Sequence, residues 1–214
     1  LFLIRPRRFG KSLLLSMMEA YYDVLLNDRF EELFKGTRVF EHPTKEQGKY
    51  LVLSFNFSAV NPDPAKAEAA FLSHVQDHAL NFIRKYDAYL SANPNKDFFI
   101  EKIKQSRIAS DILSSLLVLS EGAQQKLYVL IDEYDNFANT ILSTAGTTGY
   151  KSLTHGEGFF RSFFNVLKAG TGGMDAPITR LFFTGVSPIT LDDVTSGYNI
   201  GKNISIDRTF NRLP

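Results

Sequence analysis

Residues 3–22 read LIRPRRFGKSLLLSMMEAYY, and the fold turns on how this stretch is parsed. The apolar run Leu1 to Ile4 leads into a turn carrying Arg5, Pro6, Arg7, Arg8, Phe9 and Gly10. Lys11 and Ser12 follow, and then apolar residues at helical spacing. The pattern is a strand, a phosphate-binding loop and a helix. It departs from the template G-x-x-x-x-G-K-[ST] in one place, with Arg5 standing where the template has its first glycine. Gly-Lys-Ser alone is a weak signal, but its position sharpens it. The free N–H groups of a loop and first helical turn point at an anion, and the helix dipole favours it. Arg5-Pro6 holds the chain extended, because the residue before proline is pushed out of the α region. The close approach to phosphate then falls to Arg7–Gly10, and the candidate nucleotide-binding residues are Arg7, Arg8, Phe9, Gly10, Lys11, Ser12 and Leu13. Lys11 would reach the β- and γ-phosphates, and the Ser12 hydroxyl would ligate Mg²⁺.

A second element is needed, and KLYVLID at Lys126–Asp132 supplies it. An apolar strand running into Asp132-Glu133 is the Walker B arrangement: the first acid holds the metal and the next orients or deprotonates the attacking water. Taken alone, the two acids read equally well as an ordinary helix N-terminus. A third strand, Thr179–Val186, ends in Thr184, Gly185, Val186 and Ser187. Thr184 is the first candidate for a polar contact with the γ-phosphate or water, and Ser187 the second. A helix cap at Ile189 is an equal reading for Ser187.

Composition bounds the rest. The 214 residues carry 24 basic and 23 acidic side chains, so no global field argues for nucleic acid or membrane. Cysteine is absent, which excludes disulfides and thiolate sites and fits an intracellular, cytoplasmic setting. No apolar run approaches the ~18–20 residues of a membrane span. The chain starts at Leu1 on an apparent strand and stops at Arg-Leu-Pro, which reads as one domain, 1–214, truncated at both ends.

The spacing predicts a helix from Lys11 to about Leu26, with Leu13, Leu14, Met17, Met18, Tyr21 and Leu25 on its apolar face. A helical turn and loop over Phe30–Pro43 and a strand over Tyr50–Phe57 come next. Long helices over Ala65–Leu90 and Asp97–Leu119 follow. A short helix from about Tyr134 to Leu142 precedes a mobile Gly/Ser/Thr-rich loop, Ser143–Gly158. Phe159–Lys168 is helical, and a short helix is expected around Ile189–Val194. Strands alternating with helices argue for an α/β sheet covered on both faces.

RPRRFGKSLLLSMM, VLIDEYDN, FFRSFFNVLK and FFTGVSPIT together resemble the AAA-ATPase-like family of P-loop NTPases, from residue 2 to about residue 208. Arg5 is then a feature of that family. The resemblance implies a three-layer α/β/α fold with a mainly parallel sheet of the additional-strand type, one strand lying between the two motif strands. It implies ATP and Mg²⁺, with Lys11 and Ser12 on the phosphates and metal, Asp132 on the metal and Glu133 catalytic. Asp135 matches the family pattern with no role that chemistry assigns; hydrogen bonds to the loop arginines are one reading. Many relatives carry a C-terminal nuclease-like domain of the PD-(D/E)XK type, which implies nucleic acid as a partner of the full-length protein. A homo-oligomer could supply an arginine finger, for which Arg180 and Arg208 are candidates.

The expected function is Mg²⁺-dependent ATP hydrolysis, with Glu133, Lys11 and Thr184 catalytic, driving an appended domain or partner. One rival is a nucleotide switch with little turnover. The other is a nucleic-acid module, whose binding would be salt-sensitive and independent of Lys11. Other features carry less. His74 and His78 have metal-ligand spacing but no third ligand in view, Arg161 and Lys168 suit a solvated helix face, and the phenylalanines suit packing.

Overall fold

The structure is a computed structural model that describes residues 1–61, 63–155, 158–187 and 202–205. Strands β1 (Phe2–Ile4), β2 (Tyr50–Asn56), β3 (Lys126–Asp132) and β4 (Ile178–Gly185) form one sheet in the order β1-β4-β3-β2. Every pairing is parallel. β4 therefore lies between the strand that feeds the Lys11 loop and the strand that ends in Asp132. Asn203 pairs with Phe2 on the outer side of β1, where Phe2 N donates to Lys202 O and Ile204 N to Phe2 O.

Helices pack on both faces. α1 (Lys11–Tyr22) lies on one face, where Leu3, Leu15, Val52, Tyr128, Leu130 and Phe182 share a core. The other strand face holds Leu51, Leu53, Phe55, Leu127, Val129 and Ile131. It is covered by α4 (Ala67–Lys85), α6 (Lys96–Gln105), α7 (Ala109–Glu121), α8 (Asn136–Thr154) and α9 (Phe159–Ala169). Small helices α2 (Phe30–Phe34), α3 (Arg38–Glu41) and α5 (Asp87–Leu90) complete the described elements. β2 and β3 alternate between two apolar faces because both are covered, which is why they read as continuous apolar runs. The result is the three-layer α/β/α arrangement that the resemblance implies. The phenylalanines pack: Phe57, Phe71, Phe160, Phe163 and Phe164 are buried and ring-contacted under β2.

Several boundaries differ from the sequence reading. The helix expected over Ala65–Leu90 starts at Ala67 and breaks at Tyr86, which leaves helical geometry between α4 and α5. α1 stops at Tyr22 rather than near Leu26, because the Asp23 side chain accepts from Leu25 N and starts a 3-10 segment, Val24–Arg29. On α1 itself, Leu13 and Met17 are exposed and the buried apolar residues are Leu15 and Tyr21. The long second helix breaks between Gln105 and Ala109, where the Ser106 hydroxyl binds Ile108 N and the chain turns extended. Ser143–Gly158 is no loop over most of its length. α8 runs on to Thr154 through a kink at Gly146, whose φ of 67° only glycine adopts easily. Its hydroxyl side chains fold back onto the helix: Thr140 onto Asn136 O, Thr144 onto Thr140 O, Thr154 onto Tyr150 O. The helix expected at Ile189–Val194 lies outside the described residues. Among the described residues no helix is long and apolar enough to cross a membrane.

Candidate functional site

All four strands end at one edge of the sheet, at Ile4, Asn56, Asp132 and Gly185, and ligands of parallel sheets bind outside such carboxyl ends. The loop from Arg5 to Gly10 rises from β1 into α1 at that edge. Its turn falls at Arg8 and Gly10, both left-handed with φ of 69° and 72°. No side chain caps α1, so its first N–H groups point back towards the loop without a side-chain acceptor. Lys11, only 5% exposed, folds back across the loop and donates to Arg5 O and Pro6 O, each at 3.2 Å.

Ser12, Asp132 and Thr184 come together in one hydrogen-bonded chain. Ser12 Oγ donates to Asp132 Oδ2 at 2.5 Å, and Thr184 Oγ1 donates to Asp132 Oδ1. Parallel register produces this meeting. Ile131 pairs with Phe183, which brings the next residues of β3 and β4 side by side, while Asn56 pairs with Asp132 from the other flank. Asp132 and Thr184 are both buried. Glu133 follows, half-buried, and its φ of 50° is rare for a residue with a side chain. A cleft of about 210 Å³ opens beside the chain, lined by Ser12, Ser16, Glu19, Ser54, Asn56 and Asp132. A larger cavity, about 600 Å³ around Lys126, Gly170 and Pro177, lies at the opposite edge of the sheet, away from this polar chain.

The remaining sequence candidates separate. Arg7 reaches across to Asn136, Nη2 to Oδ1 at 3.3 Å, while Arg8, Phe9 and Leu13 are exposed. Arg5 is tied into the fold: its N–H donates to Gly185 O at 3.1 Å and its guanidinium to Ser205 O. Asp135 does not take up the loop arginines. It accepts instead from the backbone beyond Thr184, at Val186 N and Ser187 N. Arg180 sits near the start of β4, four residues before Thr184 and thus about 13 Å away along the strand. Its guanidinium is 3.8 Å from Glu46. Arg208 lies outside the described residues. Arg161 and Lys168 are half-buried on α9. His74 and His78 lie with tilted rings, centroids 4.1 Å apart, beside Phe55. Burial, and then the neighbouring His78, push the His74 imidazole down to about 4.

Sequence reasoning missed Asn136 and Tyr134 and gave Gly185 no role. Tyr134 N donates to Thr184 O, and its hydroxyl to Ser187 O at 2.5 Å. The one local clue was Gly185 directly after the polar strand tip. A Cβ there would stand 2.4 Å from Tyr134 Cε1 and 2.7 Å from Asp135 Oδ1, so only glycine lets these groups close.

The donor set suits Mg²⁺. A hydroxyl and a carboxylate within hydrogen-bond distance are hard oxygen ligands, and Mg²⁺ takes one or two protein ligands and fills its octahedron with phosphate and water. No curated protein and no solved structure matches the chain. Residues 1–195 match the family described as predicted AAA-ATPase, and the chain belongs to this AAA-ATPase-like family.

Proposed function

We propose that the chain binds ATP with Mg²⁺ at the Arg5–Gly10 loop and hydrolyses it. The observation that carries this reading is the Ser12–Asp132–Thr184 chain beside a buried lysine at an uncapped helix start. Lys11 would leave the Arg5 and Pro6 carbonyls for the β- and γ-phosphates, a short swing from its present position. The N–H groups of Gly10, Lys11, Ser12 and Leu13, with those of the turn at Arg7 to Phe9, would cradle the phosphates. Ser12 and Asp132 would hold the metal, which when bound offsets charge on the phosphate oxygens. Thr184 keeps the Asp132 carboxylate oriented, leaving Glu133 to orient the attacking water and accept its proton. Left-handed backbone at Glu133 supports that assignment, since such strain persists where the surroundings require it. The turnover would reorganise the segments after β3 and β4 and so switch a partner or an appended domain.

Of the three loop arginines, Arg5 is tied into the fold through Ser205 O, while Arg7 meets Asn136 at the surface and Arg8 is exposed, so the nucleic-acid rival is separated by whether binding depends on Lys11. The test is ATP binding and phosphate release, with and without Mg²⁺, on wild type, Lys11→Ala and Glu133→Gln. Hydrolysis is expected in wild type, loss of binding in Lys11→Ala, and binding without turnover in Glu133→Gln. Binding with no hydrolysis in wild type would favour the switch, and no binding at all would overturn the site.

A further inference from the structure

Asp135 lies three residues past Asp132, and the mechanism above leaves it without a task. It is 1% exposed. Its Oδ2 accepts from Val186 N at 3.0 Å, from Ser187 N, and from Asn139 Nδ2 at 3.1 Å, while Oδ1 accepts from Val186 N at 3.2 Å. A buried carboxylate satisfied by backbone N–H groups holds that backbone in one place, because moving it would leave the charge unsolvated. The backbone it holds is the continuation of Thr184. Tyr134 fastens the same segment from its other side, through Thr184 O and Ser187 O, and Arg5 N ties Gly185 O to the phosphate loop. Gly185 lets all of this close, since a side chain there would strike both Tyr134 and Asp135.

We propose that Asp135 is a positioning residue: it clamps Gly185–Ser187 against the exit of β3, and so fixes the Thr184 hydroxyl on Asp132 during turnover. Ser187 is then the point where the nucleotide site grips the chain that follows. This rests on the ATPase reading of the site. Asp135 touches neither the proposed phosphates nor the metal ligands, and acts through Thr184.

Asp135→Asn keeps the volume but puts an amide where the carboxylate accepts several donors. Tyr134→Phe removes the hydroxyl bond to Ser187 O and keeps both the ring and the backbone bond to Thr184 O. Both are compared with wild type for ATP affinity, kcat, melting temperature and amide exchange at Val186 and Ser187. ATP affinity is expected to stay within about threefold, while kcat falls about 10–100-fold in Asp135→Asn and a few-fold in Tyr134→Phe. Exchange at Val186 and Ser187 should speed up in Asp135→Asn. Combined with Thr184→Val, Asp135→Asn should add little further loss, because both changes free the same carboxylate. Losses that multiply, or a kcat that only tracks the fraction folded, would overturn the clamp. So would unchanged kcat in a folded Tyr134→Phe if Asp135→Asn does not fold. A failure of the ATPase reading would look different, since wild type itself would then neither bind nor turn over ATP.

Discussion

Replacing Thr184 with valine isolates the contact on which the site depends. Thr184 is fully buried at the tip of β4, and its hydroxyl donates to Asp132 Oδ1 while Ser12 donates to Oδ2. Valine matches the branched shape and suits a strand, so neither cavity nor propensity should confuse the result. What is lost is one buried hydrogen bond to a carboxylate, about 1.5–3 kcal/mol. For a chain of this length each kcal/mol moves the melting temperature by about 2–4 °C, so the expected fall is about 3–12 °C. Thr184→Ser, which keeps the hydroxyl and drops a methyl, should lose about 1 kcal/mol from packing alone. Both are read by thermal melting followed by circular dichroism in chelator, without nucleotide, so that stability is separated from binding. Valine melting within a degree or so of wild type, with serine falling further, would mean that the methyl carries the contact. The hydrogen-bonded chain would then be no basis for assigning Asp132 and Thr184 to one site.

Two other outcomes follow from groups away from the phosphate loop. Burial holds His74 down to about 4, against an ordinary 6.5, so on acidification the unfolded chain takes up a proton that the folded chain does not. Stability is unaffected above pH 6.5 and should decline from there towards pH 4, by about 1 kcal/mol once screening at this half-buried ring is allowed for. His74→Phe should flatten that arm in urea titrations compared across the interval, and an unchanged slope would remove His74 as its cause. Lys85 caps a fully buried Asp23 at 2.7 Å and also meets Glu19 at 3.1 Å. Lys85→Met should therefore destabilise by about 2–4 kcal/mol in denaturant unfolding, with Asp23→Asn in the same background recovering part of it.

How much of this was legible in the sequence depends on how far apart the partners lie. β3 reads from its own seven residues because a strand covered on both faces must be apolar throughout. The start of α1 reads from Gly10-Lys11-Ser12 for the same local reason. Its apolar face did not read, because Leu13-Leu14-Leu15 and Met17-Met18 surround the helix with apolar residues, and spacing cannot say which of them the sheet covers. α8 was misread because Ser, Thr and Gly favour turns when their hydroxyls bind nearby backbone in non-helical geometry. Here the hydroxyls bind carbonyls three or four residues back, and only Gly146 breaks the rhythm. Asp135 had no role that the sequence could assign, because its donors stand some fifty residues later, brought close by a strand inserted between β1 and β3.

The arginine at the template's first glycine has a similar explanation. A glycine at position 5 could still give its N–H to Gly185 O, but it could not reach Ser205 O as the Arg5 guanidinium does. That reach ties the loop to the segment paired outside β1, so the arginine exchanges local flexibility for an anchor. The sharp turn that glycine would have made is displaced down the loop, to Arg8 and Gly10. Arg8 adopts the left-handed region at a cost of about 1–2 kcal/mol, and Glu133 does the same directly after β3. These are the two described residues other than glycine with positive φ. Neither lies in the packed core; one stands in the Lys11 loop and the other directly follows Asp132. Positive φ at the turn of the Lys11 loop and directly after the strand that carries Asp132 puts the backbone strain at the two segments that the proposed nucleotide site would use.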